Sequence, residues 1–377
     1  MFPERMEAKL LNKIQFILDV GSSSIRMLAV QSCLGAQRII AQESILYDGF
    51  LDGQFLTPDE IGNDLGLLIE KMSQKFRMKI KSIYVGVPSD FSLCICKRIS
   101  RAFGTVHKIT EKDLIDLYET NAPSSSEDYS LISYSPMQYV LDNGYKTLSP
   151  VGNKSTSIVL DASYIMAKNN FIELMKNNFK KLGVSKVEFI SSALGQAMYC
   201  RKLADTNKPI AIVDVGHIST SICIYKGEGL ALLTSVSTGG GYISSDIMKI
   251  LGLSFKDAEL IKRKVILTVE SQRNEYYEAC FKGNLIKAPI NITNQIIRVR
   301  IETIAKIIKD VMSINEMFSE IDLYLTGDGI SNFKGVKNII KDSTNLNVID
   351  FKIPYNDSKD KYQTSKMGLA MLAEIMV

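Results

Sequence analysis

This chain has little histidine and lacks any long uninterrupted apolar run. His107 and His217 are its two histidines, so a histidine-rich metal site is excluded. No stretch approaches the roughly 18 uninterrupted apolar residues of a spanning helix. The N-terminus lacks the apolar core of a signal peptide. Met1 to Lys13 reads instead as a short mixed leader, with Met6, Leu10 and Leu11 making one weak amphipathic turn. A dominant charge is missing too: 45 basic side chains face 41 acidic ones, for a net charge of +4. That balance argues against a dedicated nucleic-acid binder, although a basic patch could assist contact with anionic lipid. The cysteines Cys33, Cys94, Cys96, Cys200, Cys223 and Cys280 lack zinc or redox spacing. They are expected to be reduced core thiols of a cytosolic protein.

What is present is enough for several cores. With 377 residues, 46% of them hydrophobic, the chain can bury two or more subdomains without disulfide or metal staples. Its most informative feature is a design used twice. Phe16-Ile17-Leu18-Asp19-Val20-Gly21-Ser22-Ser23-Ser24-Ile25-Arg26-Met27 is a β-rich run ending in Asp, a small-residue turn and a return strand. The segment Ile210-Ala211-Ile212-Val213-Asp214-Val215-Gly216-His217-Ile218-Ser219-Thr220-Ser221-Ile222 repeats it about 195 residues later. Turn amides and hydroxyls can cradle an anion, and an Asp at the strand end can hold a hydrated Mg²⁺. Two such hairpins would grip a nucleotide's phosphates from two halves with a central cleft. Asp19 and Asp214 are the candidate Mg²⁺ residues through water. Gly21, Ser22, Ser23 and Ser24, with Gly216, His217 and Thr220, are the candidate phosphate residues. An ordinary hairpin with a Ser-rich turn explains the first segment equally simply, and His217 could merely cap its own turn.

Three further constellations follow. Gly239-Gly240-Gly241 precedes a helix expected to begin near Ser244 and Ser245; amides at a helix N-terminus suit an α-phosphate or ribose, against a plain three-glycine turn. Glu259 and Lys262 lie three apart on one helix face, where they could meet ribose and adenine or form a solvated ion pair. Gly327 and Gly329 end a strand and would let a flat base approach the backbone, with Asp328 between them turned to solvent.

The pattern along the chain predicts a β meander over 16–30 and 37–47, then a helix over Leu56 to Phe76 opened by Thr57-Pro58-Asp59-Glu60. A strand follows at Ser82 to Pro88. Short strands at Leu93–Ile99, Leu131–Tyr139 and Ser157–Ala162 flank a helix opened by Thr110-Glu111-Lys112-Asp113, which reads as a small α+β insertion. Helices are expected at Ile165–Leu182, Ala193–Leu203, Ser245–Leu251, Phe255–Lys264, Asn294–Met312 and Ser365–Ile375, while Val265–Tyr277 resists assignment.

The order of these elements resembles the actin-like ATPase superfamily and, within it, the FtsA family of bacterial cell division. Gly49-Phe50-Leu51-Asp52-Gly53-Gln54 is similar to the family's entry after the first meander. Ile83-Tyr84-Val85-Gly86-Val87-Pro88 and the Thr110 helix resemble its inserted 1C (SHS2-type) subdomain. Gly239-Gly240 with Ser244 and Asp246-Ile247, and Arg300 with Glu302, are similar to two further family elements. The resemblance covers roughly residues 14–375. It implies a duplicated, ribonuclease H-like α/β ATPase fold. The first lobe (1A) would take 1–82, 164–208 and 365–377, with the 1C insertion at 83–163. The second lobe (2A) would take 209–250 and 318–364, with its subdomain 2B at 251–317.

It also implies ATP and Mg²⁺ as ligands, self-assembly into protofilaments, and a tether between the FtsZ ring, held by its C-terminal tail, and the membrane at the septum. Gln196 is the candidate for orienting an attacking water, with turnover slow or absent. The chain departs from the family where His217-Ile218 replace glycines and where Asp328 interrupts the adenosine turn. Family members usually continue into an amphipathic membrane-targeting helix, whereas Ser365 to Val377 reads as the last helix of the fold; attachment at the inner face of the cell membrane is therefore expected through partners. A PilM-like scaffold of a type IV pilus or secretion platform is the competing reading, and a sugar or acetate kinase of the same superfamily a remoter one.

Overall fold

The structure, a computed structural model, describes residues 14–33, 36–204, 206–268, 275–281, 283–313, 321–331, 333–349 and 364–375. The leader at 1–13 lies outside the described residues, as does the middle of the unassigned stretch at 269–274.

Contacts divide the chain into two units. One comprises Met1–Pro209, Cys223–Thr234 and Thr364–Val377; the other comprises Ile210–Ile222 and Ser235–Gln363.

The first sheet starts with the meander β1 (Ile14–Val20), β2 (Ser24–Cys33) and β3 (Ala36–Leu46). After the two-residue strands β4 (Phe50–Leu51) and β5 (Gln54–Phe55) comes the helix Ile61–Phe76. It begins five residues later than its sequence signal, because Leu56 to Glu60 stay in bend and turn conformations ahead of the first helical residue. Its buried stripe of Ile61, Leu65, Leu68 and Met72 has helical spacing and packs into one core with Phe16, Leu18, Phe171 and Phe179. Strand β6 (Ser82–Val87) joins β1 in parallel.

The insertion has longer strands than expected: β7 (Ser92–Lys108), β8 (Tyr129–Leu141), β9 (Lys146–Thr147) and β10 (Lys154–Lys168), in the order β7-β10-β8-β9. Polar residues interrupt the apolar alternation on their outer faces, which hides the ends of these strands from a hydrophobicity reading. Ile165, Met166 and Ala167 finish β10, so the next helix is Asn169–Lys181 rather than 165–182. Strand β11 (Lys186–Ser191) closes the first sheet in the order β11-β6-β1-β2-β3, and helix Ser192–Ala204 follows.

The second sheet repeats this plan. Strands β12 (Ile210–Val215), β13 (Thr220–Lys226) and β14 (Gly229–Val236) form the meander; β15 (Tyr276–Phe281) and β16 (Asn284–Pro289) form a separate hairpin; β17 (Asp322–Thr326) and β18 (Asn347–Ile349) complete the sheet. Its order is β14-β13-β12-β17-β18, the same meander-plus-parallel-strands arrangement as β3-β2-β1-β6-β11. Helices Gly240–Leu251, Phe255–Lys262, Ile290–Ser313 and Val336–Thr344 belong to this unit, and Thr364–Ile375 to the first. The β15–β16 hairpin and the Val336–Thr344 helix were not anticipated. Among the described residues, no helix is long and apolar enough to cross a membrane. Cys200 and Cys223 are buried thiols, but Cys96 and Cys280 are exposed, against the expectation of core positions; the side chain of Cys33 lies outside the described residues.

Candidate functional site

The second unit draws together residues that the sequence scatters over more than a hundred positions. Strand β12 delivers Asp214 to the hairpin turn, which the Gly216 amide closes by donating to Ser219 O at 2.9 Å. The glycine turn docks directly on this hairpin: Gly240 N donates to Gly216 O (2.9 Å) and Gly241 N to His217 O (2.7 Å). These amides, expected to face an α-phosphate, therefore hold hairpin carbonyls instead. The helix also starts earlier than predicted, at Gly240, with Gly239 as its extended cap. The third turn joins the stack through Gly329 N, which donates to Val215 O at 2.8 Å.

Glycine is required here by backbone packing. A Cβ on Gly240 would stand 2.5 Å from Gly329 Cα, one on Gly329 2.5 Å from Gly216 O, and one on Gly327 2.2 Å from the Asp214 carboxylate. Gly327 also has φ +86°, a left-handed conformation. The faces of Gly327 and Gly329 where a side chain would project are thus filled by the hairpin after β12.

Glu259 and Lys262 pack against this stack. Lys262 is buried; its Nζ donates to Gly240 O at 2.9 Å and lies 2.5 Å from the Glu259 carboxylate, which also accepts from the Ser244 hydroxyl. The sequence offers a solvated pair as the simple account; here the ammonium latches the glycine turn. Burial works to raise the Glu259 carboxyl, but Lys262 and Ser244 outweigh it and hold the group below its ordinary value. Burial lowers the Lys262 ammonium, with Glu259 opposing.

His217 is half-buried. Its Nε2 would lie 2.9 Å from a Cβ on Gly241, and its ring meets that of Phe255 edge-on at 6.1 Å. Burial lowers the imidazole below the ordinary histidine value, Glu259 raising it and Lys262 lowering it. Thr220, a candidate phosphate residue, turns inward: it is buried and its hydroxyl donates to Thr238 O. Beside the site, the Arg300 guanidinium reaches Asp246 through Nε (2.8 Å) and a terminal nitrogen (2.5 Å), tying the Ile290–Ser313 helix to Gly240–Leu251.

In the first unit the matching hairpin is closed by Gly21 N donating to Ser24 O at 3.0 Å. The register sets Asp19 opposite Arg26, and the two side chains pair at 3.2 Å. Asp19 is 3% exposed, and Arg26 balances its charge. Tyr47 braces the turn: its hydroxyl donates to Gly21 O at 2.7 Å and its amide to Ser23 O. Burial, helped by the charge of Asp19, raises the Tyr47 phenol well above its ordinary value, so it stays a donor. Ser22 and Ser24 are buried and Ser23 half-buried. Gln196 is 4% exposed on helix Ser192–Ala204, which crosses Thr364–Ile375 closely; a Cβ on Gly368 would lie 2.3 Å from Gln196 N. Arg26, Tyr47, Ser244 and Phe255 were missed as site residues. The register Ser24↔Leu46 puts Tyr47 beside the turn, a placement that no local sequence signal gives.

The comparisons with known proteins bear on this arrangement. Residues 211–367, which contain all the turns of the second-unit site, match the model of the family described as "Cell division protein FtsA". That segment is similar to FtsA. The FtsA of Bacillus subtilis (strain 168) is 19% identical over 383 residues, covering 96% of this chain and 84% of that protein. The FtsA of Streptococcus pneumoniae serotype 2 is 21% identical over 247 residues, which are 65% of this chain and 54% of the pneumococcal protein.

Solved structures show the fold to be actin-like. The PilM–PilN type IV pilus biogenesis complex aligns with a TM-score of 0.63 at 13% identity, over 96% of this chain and 98% of that one. MreB5 of Spiroplasma citri bound to ADP aligns at 0.58 and 11% identity, over 97% of each. The MamK double helical filament aligns at 0.51 and 12%, over 96% and 99%.

Proposed function

We propose that this chain is an ATP–Mg²⁺-binding, FtsA-like cytoskeletal protein of bacterial cell division. In this reading it assembles with copies of itself and links the FtsZ ring to the membrane or to membrane partners from the cytoplasmic side. The observation that carries the reading is the stacking of hairpin, glycine turn and Gly327–Gly329 turn around the Glu259–Lys262 pair, inside the segment that matches FtsA.

The donor chemistry suits the ligand: a carboxylate at a strand end is a hard oxygen donor of the kind Mg²⁺ takes, and Lys262, held on Gly240 O, supplies a cation to the same stack of turns. Asp214 is the residue assigned to the metal, through water. A bound Mg²⁺ would neutralise charge on the terminal phosphates. Gly216, His217 and the Gly239–Gly240 turn shape the phosphate end, Glu259 and Lys262 the ribose end, and Gly327 with Gly329 the base end. Turnover is slow or absent in this reading, and Gln196, buried on helix Ser192–Ala204, is the residue assigned to orient water.

Equilibrium binding of ATP, and capture of an FtsZ C-terminal tail peptide by the full chain, test the proposal. The likeness to PilM at a TM-score of 0.63 favours a second reading, a cytoplasmic scaffold of a type IV pilus platform. A pilus-protein N-terminal peptide used alongside separates the two: retention of that peptide and not of the FtsZ tail would replace the first reading by the second.

A further inference from the structure

His217 is the residue that sets this site apart, since it fills a turn position where close approach to phosphate favours glycine. It does not point away. The imidazole lies against Gly241 at the start of helix Gly240–Leu251 and against the Phe255 ring. The charged groups acting on it are Glu259 and Lys262, both on helix Phe255–Lys262. From Gly240–Leu251 it meets Gly241, which brings no side chain.

We propose that the His217 imidazole, carried by the phosphate hairpin and packed between Gly241 and the Glu259–Lys262 helix, couples nucleotide binding to proton uptake, so that an anionic phosphate is held more tightly once the ring is protonated. This deepens the nucleotide-binding reading above and rests on it.

The physical argument has two states. Without ligand, desolvation of the ring between Gly241 and Phe255 outweighs the pull of Glu259, and Lys262 adds to it, so the neutral form is favoured. A phosphate group entering the turn adds negative charge next to the ring and favours the imidazolium. The bound form then takes up a proton that the free form does not hold. By linkage, affinity rises as pH falls through the interval between the two midpoints. Each unit by which the ligand raises the midpoint corresponds to about a tenfold gain in affinity across that interval.

The two histidines make the test direct. In the full-length chain, histidine ring proton signals are followed by NMR from pH 5 to 8, with and without ATP–Mg²⁺, His217→Gln assigning the signals and His107 reporting on folding. The expected result is a His217 midpoint below that of a free histidine, moving upward when ATP–Mg²⁺ is added. In parallel, the native affinity gains threefold to tenfold more than that of His217→Gln between pH 8 and pH 6. Comparing the two proteins cancels the titration of ATP's own terminal phosphate, which falls in the same range. If ATP shifts other signals but leaves the His217 midpoint where it was, or if both proteins change affinity in parallel, the coupling is overturned while nucleotide binding stands. If ATP changes nothing in either protein, the nucleotide reading falls and the coupling with it.

Discussion

Replacing Lys262 by Met asks what holds the glycine turn in place. Met keeps an unbranched apolar stem of similar length and removes the ammonium, so packing along the helix is largely retained. Two partners are affected. Gly240 O loses its 2.9 Å donor but, as the first carbonyl of helix Gly240–Leu251, keeps the helical amide four residues on, so this loss is worth about 1 kcal/mol. Glu259 loses its counter-charge at 2.5 Å; breaking a fully buried pair costs roughly 3–5 kcal/mol. The Glu259 side chain is 21% exposed and keeps the Ser244 hydroxyl, so water and that hydroxyl offset part of the loss.

The expected net destabilisation is about 2–4 kcal/mol, read from urea unfolding without nucleotide and assigned to the second unit by hydrogen exchange. Glu259→Gln alone should cost less. The double variant should fall short of the sum by about 1–2 kcal/mol, the signature of a direct pair. The pair also carries a pH signature. Because the folded Glu259 carboxyl sits below its ordinary value, its stabilisation is present above the unfolded midpoint, about 4.3, and is lost as pH falls through the folded one. A Lys262→Met protein within about 0.5 kcal/mol of native, well inside the range of neutral surface changes, would refute the latch.

Other outcomes follow from the same geometry. Gly329→Ala should destabilise by about 2–3 kcal/mol or more, because its Cβ would meet Val215 O and Gly216 O, backbone atoms with nowhere to move. Gly252→Ala, at φ +66° with nothing within 4 Å, should cost only about 1 kcal/mol; chemical denaturation of both checks the contrast. Arg300→Lys should lower stability by about 1 kcal/mol in thermal unfolding, since an ammonium cannot reproduce the two-nitrogen contact with half-buried Asp246. In the insertion, burial works against the Asp113 charge, but hydrogen bonds from Thr110 and His107 bring the carboxyl down to about 2. Asp113→Asn should therefore cost about 1 kcal/mol at neutral pH by weakening the helix cap, and the gap should close as pH drops from about 4 towards 2; denaturation at several pH values measures it.

The legible part of this protein was its periodicity and its turns. The duplicated meander, the apolar stripe from Ile61 to Met72 and the Thr110 cap all follow from local patterns, and each is present in the structure. The helix start at Gly240 was not legible, because three glycines signal a turn to any local rule. Two of them lie inside the helix, where a Cβ on Gly240 would stand 2.5 Å from the Cα of Gly329, a residue some ninety positions away in sequence. The pairing of Asp19 with Arg26 was hidden for a related reason. It depends on hairpin register, which turn length fixes and composition does not report. Thr220 illustrates the limit of motif reading: its position fits a phosphate contact, yet its hydroxyl serves Thr238. Close backbone packing and side-chain partner choice are properties of the assembled turns, and no single segment encodes them.

The claim on which the functional account depends is that Asp214 joins these turns in a metal-assisted nucleotide site. ATP affinity of the native chain and of Asp214→Ala, each measured with and without Mg²⁺, tests it most directly. The account predicts that Mg²⁺ strengthens binding to the native protein and that the variant loses most of this gain. Identical affinities, with the same response to Mg²⁺ in both proteins, would contradict it.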